Sequence, residues 1–141
     1  MDFNDKDGQI IGIGTDILAI ARLRALSDCP EDPFFERTFT DAERKQATSR
    51  PVPLHYFSTR FAGKEAVFKS LLADAGILNF REIEILGTDS GQPVVSLKGH
   101  LADWAEGKGI HKILLSLSYD SDYAVAFAVA TGTVRSHSQK E

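Results

Sequence analysis

Hydrophobic and polar positions change their period near the middle of the chain. Between Ile20 and Leu72 apolar residues recur at helical spacing, whereas from Glu82 onward they alternate as strands do. Ahead of both lies IIGIGTDI, residues 10–17, a β-branched run broken by Gly12 and Gly14 and closed by Thr15 and Asp16. It reads as a buried strand that ends in a turn. A short amphipathic helix is expected over residues 20–26, ended by the Ser, Asp, Cys and Pro of 27–30. Another covers 32–48, with Thr40 to Glu43 (TDAE) forming a capping box that starts a fresh helical turn. Pro51 and Pro53 interrupt the chain, and a long helix over 54–72 follows, closing near Gly76.

The second half turns extended. EIEIL alternates, DSGQ supplies turn residues and PVVSL resumes the alternation, so 82–97 is expected to be a hairpin. A short helix over 100–106 ends at Gly107 and Gly109, and strands 112–118 and 123–130 are separated only by YDSD. Helices first and hairpins after predict an α+β domain, an antiparallel sheet packed against helices. One domain over 10–131 is expected, with flexible ends at 1–9 and 132–141.

Composition narrows the setting. The chain has 141 residues, 43% of them hydrophobic, enough for one core. Its single cysteine, Cys29, cannot form an internal disulfide, and no Cys/His spacing resembles a zinc site. The first nine residues are polar and acidic, unlike a signal peptide, and the longest apolar run, YAVAFAVA, is well short of the roughly 20 residues of a membrane-spanning helix. No membrane association and a cytoplasmic location are expected. A net charge of −4 gives no support for nucleic-acid binding, yet residues 20–70 carry +2 and the remainder −6. A locally basic half suits an acidic partner.

Within the long helix, Phe57, Phe61, Phe68 and Leu72 fall on one narrow stripe, with Arg60 and Lys64 on one flank and Glu65 and Lys69 on the other. Should this helix pack over the end of the first strand, Asp16 and Glu65 could share a hard cation such as Mg²⁺. Three cationic side chains beside such a cation suit a diphosphate, because phosphoryl transfer is catalysed by positioning and charge neutralisation. The same spacings are also those of ordinary solvated helix ion pairs, and spacing alone does not separate the two.

The motifs IGIGTDI, RFAGKEAVFKS, DSGQPVVSLKG and LLSLSYDSDYAVAFAV, in that order, resemble the holo-acyl-carrier-protein synthase family of 4′-phosphopantetheinyl transferases over residues 10–130. The resemblance implies transfer of the phosphopantetheine arm of coenzyme A to a serine of an apo acyl carrier protein, releasing adenosine 3′,5′-bisphosphate. It implies Asp16 and Glu65 as Mg²⁺ ligands, Arg60, Lys64 and Lys69 as holders of coenzyme A phosphates, and catalysis by Asp16, Glu65 and Lys69. Gly91, Gln92 and Pro93 match a loop that borders the nucleotide, Ser118 and Tyr119 a substrate-facing segment, and Arg22 and Arg24 a surface that meets the carrier protein. A homotrimer with sites between protomers is implied as well.

Two departures stand out. The family usually has histidine where this chain has Tyr119, a poor base at neutral pH but a capable hydrogen-bond donor. A glycine-rich turn usual after the helix is replaced by LLADAGILNF, which offers fewer backbone N–H groups to phosphate. The alternative to an active transferase is a homologue that binds coenzyme A or a carrier protein without catalysing transfer.

Overall fold

Small residues decide how this molecule packs. In the computed structural model, which describes residues 8–29 and 31–134, the chain forms β1 (Gln9–Ala19), α1 (Ala21–Ser27), α2 (Pro33–Thr38), α3 (Asp41–Thr48) and α4 (Pro53–Ser70). Two 3₁₀ turns (Ala75–Ile77 and Phe80–Glu82), β2 (Ile83–Gly87), β3 (Pro93–Leu97), α5 (Gly99–Gly107), β4 (Ile110–Tyr119) and β5 (Tyr123–Gly132) complete the order. β1, β5 and β4 make one antiparallel sheet in that order, and β2 with β3 makes a separate two-stranded one. The architecture is the α+β arrangement expected. The anticipated flexible ends fall mainly outside the described residues, although Gln9 already opens β1 and Gly132 closes β5.

β5 presents Ala124, Ala126, Ala128 and Ala130 to one side, all at most 1% exposed, and α4 lies across them. Only methyl groups separate strand from helix there, so α4 turns its own small residues, Ser58, Ala62, Gly63 and Ala66, toward the core. The expected phenylalanine stripe is therefore displaced from the sheet. Phe57 packs on Phe35 and Phe39 (ring centroids 4.9 Å in both cases), and Phe61 on Phe34 (5.5 Å) and Phe80 (5.2 Å). Leu72 lies past the helix end at φ 57° and is exposed.

The helix expected over 32–48 is two helices. Phe39 is extended, and the box at Thr40 starts α3 anew: Glu43 N–H donates to Thr40 Oγ1 (3.2 Å) and Thr40 N–H to Glu43 Oε1 (2.9 Å). On the sheet face away from α4, Ile13, Ile17, Leu114, Val125 and Phe127 are exposed. No helix among the described residues is long and apolar enough to cross a membrane.

Candidate active site

Gly12 and Gly14 let β1 touch the backbone of α4. A Cβ on Gly12 would fall on the Ser70 carbonyl oxygen, and one on Gly14 on the Ala66 carbonyl oxygen, 2.8 Å from Lys69 Cβ. One strand period further on, Asp16 emerges on the same face, beside Glu65 and Lys69. Lys69 Nζ donates to Thr15 O (3.0 Å) and Asp16 Oδ1 (3.3 Å). Glu65 hydrogen-bonds Asp16. Its pKa is pushed up to about 7, first by burial and then by the charge and hydrogen bond of Asp16, against the opposing pull of Lys69 and Arg22.

Two neighbouring carboxyl groups at a half-open edge offer hard oxygen donors. That donor set fits Mg²⁺, which takes one or two carboxylates and fills its remaining positions with water and phosphate oxygens. Among the described residues no group of three or more His, Cys, Asp and Glu gathers, so this site offers two protein carboxylates. Arg22, on exposed α1, turns its charge toward this pair, and Arg24 is exposed on the same short helix.

Lys64 is not beside them. Its side chain is wholly buried, its ammonium 2.9 Å from Glu43 Oε1, and it donates to Phe80 O (2.9 Å) and to Ile83 O. All three of its protons are committed within the fold, so it has none for a phosphate. Burial pulls its pKa down, and Glu43 opposes the shift. The resemblance implied Lys64 as a holder of a coenzyme A phosphate, whereas here it lies inside the fold, away from Asp16 and Glu65.

Arg60 forms a second centre, at the end of β2 where the chain enters the β2–β3 turn. Its guanidinium carbon lies 4.1 Å from the Tyr56 ring centroid, with that of Arg50 at 5.7 Å. A Cβ on Gly87 would stand 3.0 Å from Arg50 Nη2 and 3.3 Å from Arg60 Nη2, so both groups crowd one backbone position. The Nε atoms of both arginines are buried without a hydrogen-bond partner among the described residues. Burial lowers the Arg60 pKa, Tyr56 opposes this and Arg50 adds to it, while burial raises Tyr56 to about 12. Two crowded guanidiniums with unmet donors are suited to an anion.

At the hairpin tip, Gly91 takes φ 88° and its N–H donates to Thr88 O (2.8 Å), which leaves Gly91 and Gln92 exposed and Pro93 half-buried. This tip borders a groove of about 860 Å³ between β3 and β4, floored by Val95, Leu97, Ile113, Leu115 and Leu117. Ser118 and Tyr119 do not act as one segment: adjacent in β4, they point to opposite faces of the sheet. Tyr119 stacks on His55 with ring centroids 4.5 Å apart. His55, Arg50 and Gln46 gave no sequence signal, and Glu43 showed only as half of a capping box.

The model of the 4′-phosphopantetheinyl transferase superfamily that bears the description ACPS matches residues 12–128. A holo-[acyl-carrier-protein] synthase of Desulforudis audaxviator is 41% identical over 123 residues, covering 87% of this chain and 94% of its own. The chain belongs to the holo-acyl-carrier-protein synthase family. It is a transferase of that family. The Neisseria meningitidis holo-[acyl-carrier-protein] synthase superposes with TM-score 0.77 at 34% identity, over 86% of this chain and 98% of that one. The Bacillus anthracis synthase, solved in complex with CoA (3′,5′-ADP), gives TM-score 0.71 at 28% identity, over 88% and 98% of the two chains. Asp16, Arg60, Glu65 and Lys69 all lie inside the matched synthase segment.

Proposed function

We propose that the chain transfers the 4′-phosphopantetheine arm of coenzyme A to a serine hydroxyl of an apo acyl carrier protein, with Mg²⁺ as cofactor and adenosine 3′,5′-bisphosphate as the second product. The observation that carries this reading is the Asp16–Glu65 pair beside Lys69, assembled by the Gly12 and Gly14 contacts with α4. Coenzyme A complexes of similar synthases support the substrate.

In the transfer, the serine oxygen forms a bond to the phosphorus that bears pantetheine, and the bond from that phosphorus to the bridging diphosphate oxygen breaks. The acceptor proton must leave the hydroxyl. Glu65 is suited to receive it through a bridging water, since it stands beside Asp16 and Lys69 at the same edge. Lys69, 56% exposed at its side chain and anchored on Thr15 O, is placed to meet the charge that develops on the leaving bisphosphate. Mg²⁺, held by Asp16 and Glu65, would neutralise the diphosphate.

Arg60, with Arg50 beside it, supplies the buried donors for a phosphate, and Gly91, Gln92 and Pro93 would border the nucleotide. Tyr119 is more than half exposed, able to donate its hydroxyl proton to substrate. Arg22 and Arg24 would meet the acidic carrier protein. Asp16 and Tyr119 stand on edge strands, with β5 between them. Their joint use is therefore best served by a cleft between protomers of a homotrimer, with residues 10–131 as the single transferase domain of a cytoplasmic enzyme.

The test is the mass of an apo acyl carrier protein after incubation with the chain and coenzyme A, with Mg²⁺ and again with EDTA. A gain of one phosphopantetheine arm that EDTA abolishes is the expected result. No gain with several carriers, from folded protein that binds coenzyme A, would establish the non-catalytic homologue instead.

A further inference from the structure

β2 belongs to a two-stranded sheet, so one of its edges has no strand beside it. On the β3 side, Lys98 N–H donates to Glu82 O (2.8 Å) and Thr88 N–H to Gln92 O (2.9 Å). By the alternation of an antiparallel ladder, main-chain groups of Ile83, Ile85 and Gly87 point the other way. Side chains of α3 and α4 meet them. Lys64 Nζ donates to Ile83 O, Ile85 N–H donates to Glu43 Oε2 (2.6 Å), Gly87 N–H donates to Gln46 Oε1 (2.8 Å), and Gln46 Nε2 donates to Gly87 O (3.0 Å). The Gln46 amide pairs with Gly87 as the backbone of a third strand would.

Glu43 and Gln46 are three residues apart and share one helix face, which lets them address alternate residues of β2 in step. Gln46 reaches further. Its Oε1 also accepts from the Tyr56 hydroxyl (3.0 Å), and Tyr56 is the ring on which Arg60 lies. Gly87, held at both its N–H and its C=O, is the position that the Arg50 and Arg60 guanidiniums crowd. One amide side chain thus holds the turn end of β2 and, through Tyr56, the arginines in a single frame.

We infer that Gln46 is a positioning residue for the nucleotide end of the substrate, setting the β2–β3 hairpin against Arg50 and Arg60, and that Lys64 serves the same frame through Ile83 without touching substrate. The inference rests on the transferase reading above. It predicts an effect on nucleotide affinity separable from the chemical step, because Asp16, Glu65 and Lys69 are anchored on β1 and α4 and share no hydrogen bond with Gln46 among those described.

The experiment compares the wild type with Gln46→Met, which keeps the length of the side chain and removes its three hydrogen bonds. Calorimetry gives Kd for adenosine 3′,5′-bisphosphate, steady-state kinetics gives KM for coenzyme A and kcat, and amide exchange follows Ile85 and Gly87. The expected result is a rise of about tenfold in Kd and KM, kcat within about twofold of wild type, and faster exchange at Gly87. Tyr56→Phe removes one bond to Gln46 together with the hydroxyl's bond to Arg60 and should raise Kd about threefold; it carries the test should Gln46→Met not fold. Unchanged nucleotide affinity in the variants of a wild type that binds, or a fall in kcat at constant KM, overturns the inference alone. A wild type that binds no adenosine 3′,5′-bisphosphate removes the transferase reading and the inference with it.

Discussion

Lys64 and Glu65 are adjacent in the chain, yet one is sealed in an ion pair and the other stands beside Asp16 at the edge of solvent. The pKa of Glu65, about 7 when folded against 4.5 for a free carboxyl, gives it a defined influence on stability. A raised folded pKa means that the native state binds the proton more tightly. The stabilisation is complete below about pH 4.5 and is lost as pH rises through about 7. Thermal melts of metal-free wild type should therefore lose ground to Glu65→Gln between pH 5 and pH 8, and Mg²⁺ should restore the wild type alone. Parallel pH profiles would show that the Glu65 pKa is not raised. For Lys64, removal of one member of a buried pair strands the other, so Lys64→Met should cost about 3–5 kcal/mol in urea unfolding. Retained stability with weakened coenzyme A binding would mean that Lys64 is a substrate ligand after all. Helical spacing placed both residues on α4 but says nothing about depth. Glu43, which draws Lys64 inward, lies in another helix.

Elements that meet backbone to backbone were the more legible in the sequence. The glycines of IGIGTDI announced a strand, but one buried and ending in a turn at Asp16, whereas β1 runs on to Ala19 with one face exposed; the glycines instead admit the carbonyls of Ala66 and Ser70. Gly14→Ala should cost about 1–3 kcal/mol and move Asp16 away from Glu65, seen as a weaker Mg²⁺-dependent rise in melting temperature. A normal response to Mg²⁺ would show that this approach does not set the site. The phenylalanine stripe misled for a related reason. Periodicity identifies large apolar residues, whereas α4 meets the sheet through alanine, glycine and serine, which carry little hydrophobic weight individually. Large side chains then fill the wider gap toward α2, where Phe34, Phe35 and Phe39 wait. The capping box at Thr40 was legible, but the extended Phe39 that splits the helix was not, since nothing in its side chain demands the break.

Across the whole molecule, the sheet has one face under α4 and one face of exposed Ile13, Ile17, Leu114, Val125 and Phe127. An apolar surface of that kind marks association. Phe127 stands at its centre, between Thr15 on β1 and Ser116 on β4, so Phe127→Lys should convert the proposed trimer to monomer in light scattering and reduce transfer with it. A monomeric wild type would remove the shared cleft. The apolar run of β5 was plain in the sequence, but which of its faces would meet another subunit of the proposed trimer is a property of neighbouring strands and could not be read from β5 alone. The docking of β1 on α4 carries a further consequence, for the order in which the molecule comes apart. Lys69 and Asp16 meet across 53 residues of chain, so the carboxylate pair exists only while the N-terminal strand is seated. A cation bound there acts as a clasp on that strand: at a hundred times its Kd it adds about 2.7 kcal/mol to every opening that lifts β1 away. Amide exchange in β1 and its partner β5 should slow with Mg²⁺ while openings confined to the separate β2–β3 sheet proceed as before, which would make the proposed ion a brake on one region of the fold.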